Sequence, residues 1–118
     1  NQSQLGRYFC AADALVMPSV QETWGLVVNE AMHYGLPVLV SDGVGCHPDL
    51  VQDGVTGYVH RVGDATALAQ HIAQLAADPA RSRRMGRAAE QLVARYRIAS
   101  SARGVLRALG LSDRPEAA

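Results

Sequence analysis

The spacing of apolar side chains at the start of the chain predicts a helix and then a strand. Residues 4–12 carry apolar side chains at helical spacing, which is typical of a short amphipathic helix. The continuously apolar run Ala14–Met17 has the composition of a buried strand. Pro18 ends that strand, because proline has no backbone N–H to donate within a sheet.

A helix and a second strand follow. Residues 25–34 have a helical pattern, and Gly35 suits the position after a helix because glycine tolerates a positive φ. Pro37 prevents the helix from continuing. The run Val38–Val40 is typical of a parallel strand that is covered on both faces. Strand, helix and strand together predict one right-handed βαβ unit.

The middle of the chain predicts a loop, one helical turn and an edge strand. Residues 41–48 hold two glycines and one proline without apolar periodicity, so we expect a loop there. Residues 47–52 fit a single helical turn. Tyr58–Arg61 fits a short strand at the edge of the sheet.

The last third of the chain predicts helices only. Asp64 is suited to cap one helix, and Asp78 with Pro79 to begin the next, because aspartate caps a helix start and proline fits its first position. The first of these helices has an apolar face made of Leu68, Ile72 and Leu75. A final amphipathic helix is lined by Ile98, Ala102, Val105, Leu106 and Leu109. Residues 111–118 predict a flexible tail.

Composition supports one folded domain and narrows its function. The chain has 118 residues, of which 48% are hydrophobic, so we expect a folded core and no extended disorder. The net charge of zero argues against a nucleic-acid-binding protein. No apolar run approaches the roughly 20 residues that a membrane span requires. We also expect that the protein has no signal peptide.

The charges are divided unequally along the chain. Residues 1–80 hold two arginines and eight acids, whereas residues 81–118 hold nine arginines and three acids. We favour a solvated helix face as the interpretation of the basic end. Docking onto a further domain or onto an anionic membrane surface is the alternative.

The chain contains no lysine and two cysteines. The missing lysine excludes a P-loop and Schiff-base chemistry, and it counts against a response-regulator receiver domain, whose active site uses a lysine. Cys10 and Cys46 predict two reduced, partly buried thiols in a cytosolic protein. Together with Cys46, His33, His47 and His60 show no metal-ligand spacing, so we expect no zinc.

One segment carries the candidate chemistry, PSVQETWGLVVNE from Pro18 to Glu30. It joins a strand, an irregular loop and a helix start at the carboxyl end of a parallel sheet, where open α/β sheets bind ligands. The free N–H groups of a helix start favour a phosphate. Glu22 and Glu30 suit neutral hydroxyls, which can donate hydrogen bonds to carboxylates. Phosphate and hydroxyls together indicate a nucleotide sugar.

The pattern PS-x-x-E-x-W-G-L-V-x-x-E-A-M-x-x-G-L-P-V over residues 18–38 resembles the donor-site signature of retaining glycosyltransferases with the GT-B fold, of the glycosyl transferases group 1 type. The similarity continues through SDGVGCHPDLVQDGVTGYV and covers roughly residues 3–96. The fold class that this resemblance implies is α/β, a Rossmann-like parallel sheet with flanking helices. Residues 1–110 would then be the second half of the carboxy-terminal, donor-binding domain, ending in helices. The acceptor domain and the first strands of the donor domain would lie outside this chain.

The resemblance also implies roles for the two glutamates. Glu30 would accept hydrogen bonds from both ribose hydroxyls of the nucleotide, and its alternative is a surface residue that compensates the helix dipole. Glu22 would contact a hydroxyl of the donor sugar and would be catalytic in the broad sense that its loss cripples transfer. It is not assigned as a nucleophile. Its alternative is an ordinary loop acid.

Five consecutive residues complete the implied donor site: Thr23, Trp24, Gly25, Leu26 and Val27. The N–H groups of Gly25 to Val27 would hold the sugar and the diphosphate and stabilise charge on the leaving group. Gly25 would leave space for the phosphate or serve only as a turn glycine. Trp24 stands where the family more usually has phenylalanine or tyrosine, and it is either a core aromatic or a sugar-stacking residue.

A neighbouring glycine motif is not assigned to cofactor binding. Gly43-Val44-Gly45 begins a dinucleotide fingerprint, but Pro48 stands where the third glycine belongs. We therefore expect a loop at the mouth of the site. The resemblance implies no metal and no cofactor besides the nucleotide-diphosphate sugar.

The function that follows is that of a hexosyltransferase, which moves a sugar from a nucleotide-diphosphate sugar to a hydroxyl acceptor with retention. This chain alone would carry part of the donor site and be inactive. The alternative is a non-catalytic nucleotide-sugar-binding or regulatory domain of the same fold, and a third interpretation is an unrelated α/β signalling module. We expect a cytoplasmic protein, with a peripheral membrane contact of the full-length protein left open.

Overall fold

A computed structural model describes residues 2–96 and 98–110 of the chain. In chain order its elements are α1 (Gln2–Ala11), β1 (Leu15–Met17), α2 (Leu26–His33), β2 (Val38–Ser41), α3 (His47–Leu50), β3 (Gly57–His60), α4 (Ala65–Ala77), α5 (Pro79–Val93) and α6 (Ile98–Ala108). All the predicted elements are present, with ends shifted by no more than two residues. The predicted flexible tail, residues 111–118, lies outside the described residues.

The three strands form one parallel sheet in the order β1-β2-β3. Leu39 at the middle of β2 is the register partner of Val16 in β1 and of Tyr58 in β3. The strand β2 is buried along its whole length, as expected of a parallel strand between two helical layers. The predicted fold class is confirmed, and β3 lies at an edge of the described sheet, as predicted.

Helices cover both faces of the sheet. On one face Val38 and Val40 pack against α2, and the buried side chains of this cluster include Val28, Ala31, Met32, Leu50, Ala89 and Val93. On the other face a smaller cluster consists of Leu39, Tyr58, Leu75 and Met85. Because α5 contributes to both clusters, it links the two layers. A parallel sheet between two helical layers leaves the carboxyl ends of its strands open, and the candidate site lies there.

The apolar faces of α4 and α6 are less covered than the sequence pattern suggests. Of the predicted apolar face of α4, Leu75 is buried, but Ile72 is 45% exposed. Ile72 borders a groove of about 680 Å³ with Val16 and Leu39, where β1 forms one edge of the described sheet. The predicted apolar face of the last helix is exposed at Val105 and Leu106 on α6 and at Leu109 directly after it. Periodicity identifies an apolar face but does not show what covers it.

Candidate functional site

The site is built from two loops that leave adjacent strands. Residues 18–25 follow β1 and residues 42–46 follow β2, and we call these the first loop and the second loop. Glu22 and Val44 form a parallel bridge, which continues the pairing of β1 with β2 beyond the strands. The N–H of Glu22 donates to the carbonyl of Gly43 (2.9 Å), and the N–H of Gly45 donates to the carbonyl of Glu22 (2.8 Å). The two loops therefore form one hydrogen-bonded unit.

Two glycines of the second loop allow this contact. A Cβ atom on Gly45 would lie 2.8 Å from the carbonyl carbon of Thr23, and one on Gly43 would lie 2.8 Å from the carbonyl oxygen of Ser19. Both distances are too short for a side chain, because the neighbouring atoms are backbone. The hydroxyl of Ser41 also donates to the carbonyl of Ser19. The Gly43-Val44-Gly45 motif thus serves loop-to-loop packing, at the mouth of the candidate site.

The helix α2 begins without a side-chain cap. Its N-cap residue is Gly25, which has φ 96° and ψ 58° and offers no side-chain hydrogen bond. The first N–H groups of any α-helix lack intrahelical partners. Within the described part of the chain, no hydrogen bond uses the N–H of Gly25, Leu26 or Val27. This arrangement leaves N–H groups available to an anionic ligand.

Trp24 is hydrogen-bonded both to the helix α2 and to the second loop. Its indole Nε1 donates to Oδ1 of Asn29 (3.1 Å), and its ring packs against the large core cluster. Its backbone carbonyl accepts from the N–H of Cys46 (2.9 Å). Of the two interpretations of Trp24, the geometry supports the core aromatic, since the ring is half-buried and its polar atom is already bonded within the chain.

The two glutamates occupy different environments. Glu22 is half-buried, and one of its carboxylate oxygens accepts a long hydrogen bond of 3.4 Å from the N–H of Trp24. This bond places the carboxylate close to the start of α2. Glu30 is exposed and lies in the second turn of α2. The two acids therefore flank the start of α2: Glu22 lies before its first residue and Glu30 lies one turn into it.

The remaining predicted site residues divide by exposure. Thr23 and Leu26 are exposed, Gly25 is buried, and Val27 is half-buried against the core. Leu26 has 70% of its surface exposed although it is apolar. The structure thus brings all seven predicted site residues to one loop-helix junction. Their roles toward a ligand stay predictions.

Residues that sequence reasoning did not assign to the site also support it. Asn29 accepts the indole hydrogen bond, and Gly43, Gly45 and Cys46 pack against the first loop. The signal available in the sequence was the glycine pair directly after a buried strand, which marks a close backbone approach. The partner of that approach, Thr23, could not be read from the spacing.

Cys46 is a buried thiol beneath Gly25. Its Sγ lies 4.0 Å from the carbonyl oxygen of Gly25. Burial, together with the nearby charges of Asp49 and Glu22, raises the pKa of Cys46 from 9.0 to about 11, against a smaller opposing effect of a backbone hydrogen bond. The thiol is therefore protonated at neutral pH. Cys10 is exposed, so the prediction of two partly buried thiols is wrong for Cys10.

The described residues contain neither a cluster of metal-ligand side chains nor a membrane-spanning helix. Across residues 2–96 and 98–110, no three His, Cys, Asp or Glu side chains come together as metal ligands would. In the same residues, none of the helices has the length and apolar character needed to cross a membrane.

Comparison with known proteins identifies the family. Residues 1–92 match the model of the family described as Glycosyl transferases group 1. The chain belongs to this family. The predicted resemblance is confirmed, and the interpretation as an unrelated signalling module is wrong.

The curated relatives carry glycosyltransferase names and are much longer than this chain. D-inositol 3-phosphate glycosyltransferase of Streptomyces avermitilis is 49% identical over 88 residues, which are 75% of this chain and 19% of that protein. N-acetyl-alpha-D-glucosaminyl L-malate synthase of Bacillus anthracis is 36% identical over 92 residues, which are 78% of this chain and 24% of that protein. The chain thus spans about a fifth of the length of the curated relatives it matches.

The solved structures that resemble this chain are GT-B glycosyltransferases. Sucrose-phosphate synthase from Thermosynechococcus elongatus superposes with a TM-score of 0.77 and 35% identity, over 92% of this chain and 28% of that one. HepE of Anabaena, solved in complex with UDP-glucose, superposes with a TM-score of 0.79 over 90% of this chain and 29% of that one. Its identity is 24%, so this second likeness shows the fold alone.

Proposed function

We propose that the full-length protein is a retaining hexosyltransferase and that this chain supplies part of its donor site. The sugar would pass from a nucleotide-diphosphate sugar to a hydroxyl acceptor. The observation that carries this proposal is the start of α2, where uncapped N–H groups lie next to the carboxylate of Glu22. Backbone N–H groups suit the diphosphate, and carboxylates suit hydroxyls of the sugar and ribose.

Five of the seven predicted site residues contact the donor in this proposal, and Thr23 and Trp24 are the residues that join Glu22 to Gly25. The N–H groups of Gly25, Leu26 and Val27 would hold the diphosphate and stabilise the leaving group as negative charge develops on it. Glu22 would face the reacting sugar with the carboxylate oxygen that Trp24 does not use. Glu30, exposed and further along α2, would accept hydrogen bonds from the ribose hydroxyls.

A donor screen on the full-length protein tests the proposal. UDP-, GDP- and ADP-sugars are compared by thermal shift, beginning with UDP-glucose because the structural neighbour HepE binds it. The anomeric configuration of the product is then determined by NMR. Stabilisation by one nucleotide class and a retained anomer are expected. Stabilisation by no nucleotide diphosphate would overturn the donor site, and an inverted product would overturn retention.

The runner-up function is a non-catalytic nucleotide-sugar-binding or regulatory domain of the same fold. It predicts donor binding without transfer to any hydroxyl acceptor. The transferase and the non-catalytic domain would have the same donor-site residues, so only a measurement of turnover distinguishes the two functions. We favour the transferase because the relatives that share the family carry the names of transferases and synthases.

Residues 1–118 alone should not transfer sugar or hydrolyse the donor. Catalysis in a two-domain enzyme needs both sides of the cleft, and the chain spans only about a fifth of its relatives. Turnover by the isolated chain at a rate near that of the full-length protein would contradict this.

Metal should be unnecessary to the full-length enzyme. The proposed phosphate partners in this chain are backbone N–H groups, which need no cation to bind an anion. Activity is measured in excess EDTA, and unchanged kcat is expected. Loss of activity that Mg²⁺ or Mn²⁺ restores would show that a metal takes part.

The exposed arginines of α5 and α6 have three possible environments. Arg83, Arg84 and Arg87 on α5 and Arg103 and Arg107 on α6 are exposed. We favour a solvated surface of a cytoplasmic protein, with docking onto the acceptor domain or onto an anionic membrane as the alternatives. Sedimentation of the full-length protein with phosphatidylglycerol vesicles, compared with phosphatidylcholine vesicles, distinguishes the membrane from the other two.

A further inference from the structure

The start of α2 needs a support that its N-cap residue cannot provide. Gly25 has a left-handed backbone conformation and no side chain with which to bond the first turn. A conventional Ser, Thr, Asp or Asn cap would occupy one of the N–H groups that the ligand is proposed to use. Some other contact must therefore fix the direction in which those N–H groups point.

The contact between Trp24 and Asn29 meets this requirement. With Gly25 as N-cap, Trp24 is the residue before the cap and Asn29 is the fourth residue of the helix. These are the two positions that a hydrophobic staple joins, which fixes the angle at which the chain enters the helix. Here the link is polar, because indole Nε1 donates to Oδ1 of Asn29 at 3.1 Å. It leaves the N–H groups of Leu26 and Val27 without a partner among the described residues.

The same tryptophan ties this link to the rest of the site. Its N–H donates to the carboxylate of Glu22, and its carbonyl accepts from the N–H of Cys46 in the second loop. The ring packs on the core and cannot move freely. Movement at Trp24 would therefore shift the Glu22 carboxylate and the Gly25 backbone together.

We propose that Trp24 and Asn29 are positioning residues that orient the diphosphate-binding start of α2. This inference rests on the proposed function and adds the residues that hold the donor-binding N–H groups in place. Neither side chain touches the donor. Their contribution is geometric, so it should appear in diphosphate affinity beyond any effect on stability.

The test compares single and double variants of the full-length protein. Trp24→Phe removes the indole N–H and keeps an aromatic ring. Asn29→Leu removes the acceptor oxygen and keeps a side chain that branches at Cγ. Leu75→Val, in the core cluster on the other face of the sheet, is the matched control for a modest loss of stability. The probe is whichever of UDP, GDP or ADP binds the unsubstituted protein most tightly, and its Kd is measured beside Tm.

We expect Trp24→Phe and Asn29→Leu each to raise the Kd about three- to tenfold, the range for one hydrogen bond. The Kd of the double variant should not exceed the larger Kd of the two single variants, because both substitutions remove the same hydrogen bond. Leu75→Val should lower Tm and leave the Kd within about twofold. Both single variants keeping the parental Kd, or the double variant losing the product of the two single effects, would overturn the inference. Failure of the unsubstituted protein to bind any of the three diphosphates would instead overturn the proposed function.

Tryptophan emission provides a second test of the hydrogen bond. Trp24 is the chain's single tryptophan. Its emission in the full-length protein is obtained by subtracting the spectrum of the Trp24→Phe variant from that of the unsubstituted protein. In Asn29→Leu that emission should shift, because the indole N–H loses its partner. Identical emission would show that the bond is not formed in solution and would overturn the inference.

Discussion

The N–H of Gly45 donates a 2.8 Å hydrogen bond to the carbonyl oxygen of Glu22, and this bond ties the second loop to the backbone of a proposed sugar-binding residue. The position of Glu22 therefore depends on a residue that follows a different strand. At Gly45 the two backbones are close enough to exclude any Cβ atom. The geometry of the site is thus set by loop-to-loop packing as well as by the helix that follows.

Gly45→Ala should separate the two loops. The added methyl group would overlap the backbone of Thr23, which cannot turn aside as a side chain can, so we expect a loss of about 1–3 kcal/mol in stability and weaker donor binding. Both are measured on the full-length protein, as Tm and as Kd for the nucleoside diphosphate. Gly104→Ala is the control, because a Cβ atom there meets open space on a helix. Equal behaviour of the two variants would show that the loops are not in contact.

Gly25→Ala should destabilise the protein more than Gly63→Ala does. Both glycines have a positive φ, of 96° and 80°, so alanine costs each about 1–2 kcal/mol. At Gly25 the new methyl group would also lie 2.9 Å from Cγ1 of Val44, whereas at Gly63 it meets nothing within 4 Å. Chemical denaturation of both variants measures the difference. A double variant that adds Val44→Ala should lose less than the sum of the single losses, and simple additivity would argue against the crowding.

Glu22 and Glu30 should separate by kinetics. Glu30 is proposed to bind ribose, which is the same in the ground and transition states, so Glu30→Ala should raise KM with kcat nearly unchanged. The loss should be ~1.5–3 kcal/mol, the range for hydrogen bonds to a charged group. Glu22→Ala should lower kcat and leave the affinity for free nucleoside diphosphate nearly unchanged.

Steady-state kinetics and nucleotide binding of the full-length variants check these roles. Glu90→Ala, at an exposed acid on α5, is the control for removing a surface charge. The roles are reversed if Glu22→Ala abolishes nucleotide binding while Glu30→Ala spares it. If neither substitution differs from Glu90→Ala, the segment from Pro18 to Glu30 is not the donor site.

Cys46 should make folding stability fall between about pH 9 and pH 11. In the folded protein its pKa is raised from 9.0 to about 11. Above pH 9 the unfolded chain therefore loses the thiol proton first, and ionisation favours unfolding until the folded thiol ionises as well. The free energy of unfolding is measured by urea denaturation across this pH range. In Cys46→Ala it should lack the part of the decline that the thiol causes. Cys10→Ala, at an exposed thiol, should retain it, and an identical decline in both variants would contradict the assignment.

Local chemistry allowed the order of elements to be predicted from the sequence. Asp64 and Asp78 accept hydrogen bonds of 2.9 Å from the N–H groups of Ala67 and Arg81, three residues further on. Capping therefore depends only on residues that are close in sequence. Gly35 ends α2 with φ 70°, as its position predicted. The family pattern also placed the candidate site, because its residues are consecutive or nearly so.

Contacts made only in the folded chain decided the rest. Nothing in the spacing shows that Gly45 meets Thr23, that the indole of Trp24 bonds Asn29 while its ring joins the core, or that Ile72 is left uncovered. Capping and strand formation depend on a few adjacent residues, so the sequence by itself determined them. Close backbone approach, burial and the shifted pKa of Cys46 depend on which surfaces meet once the chain has folded. Only the tertiary structure brings those surfaces together.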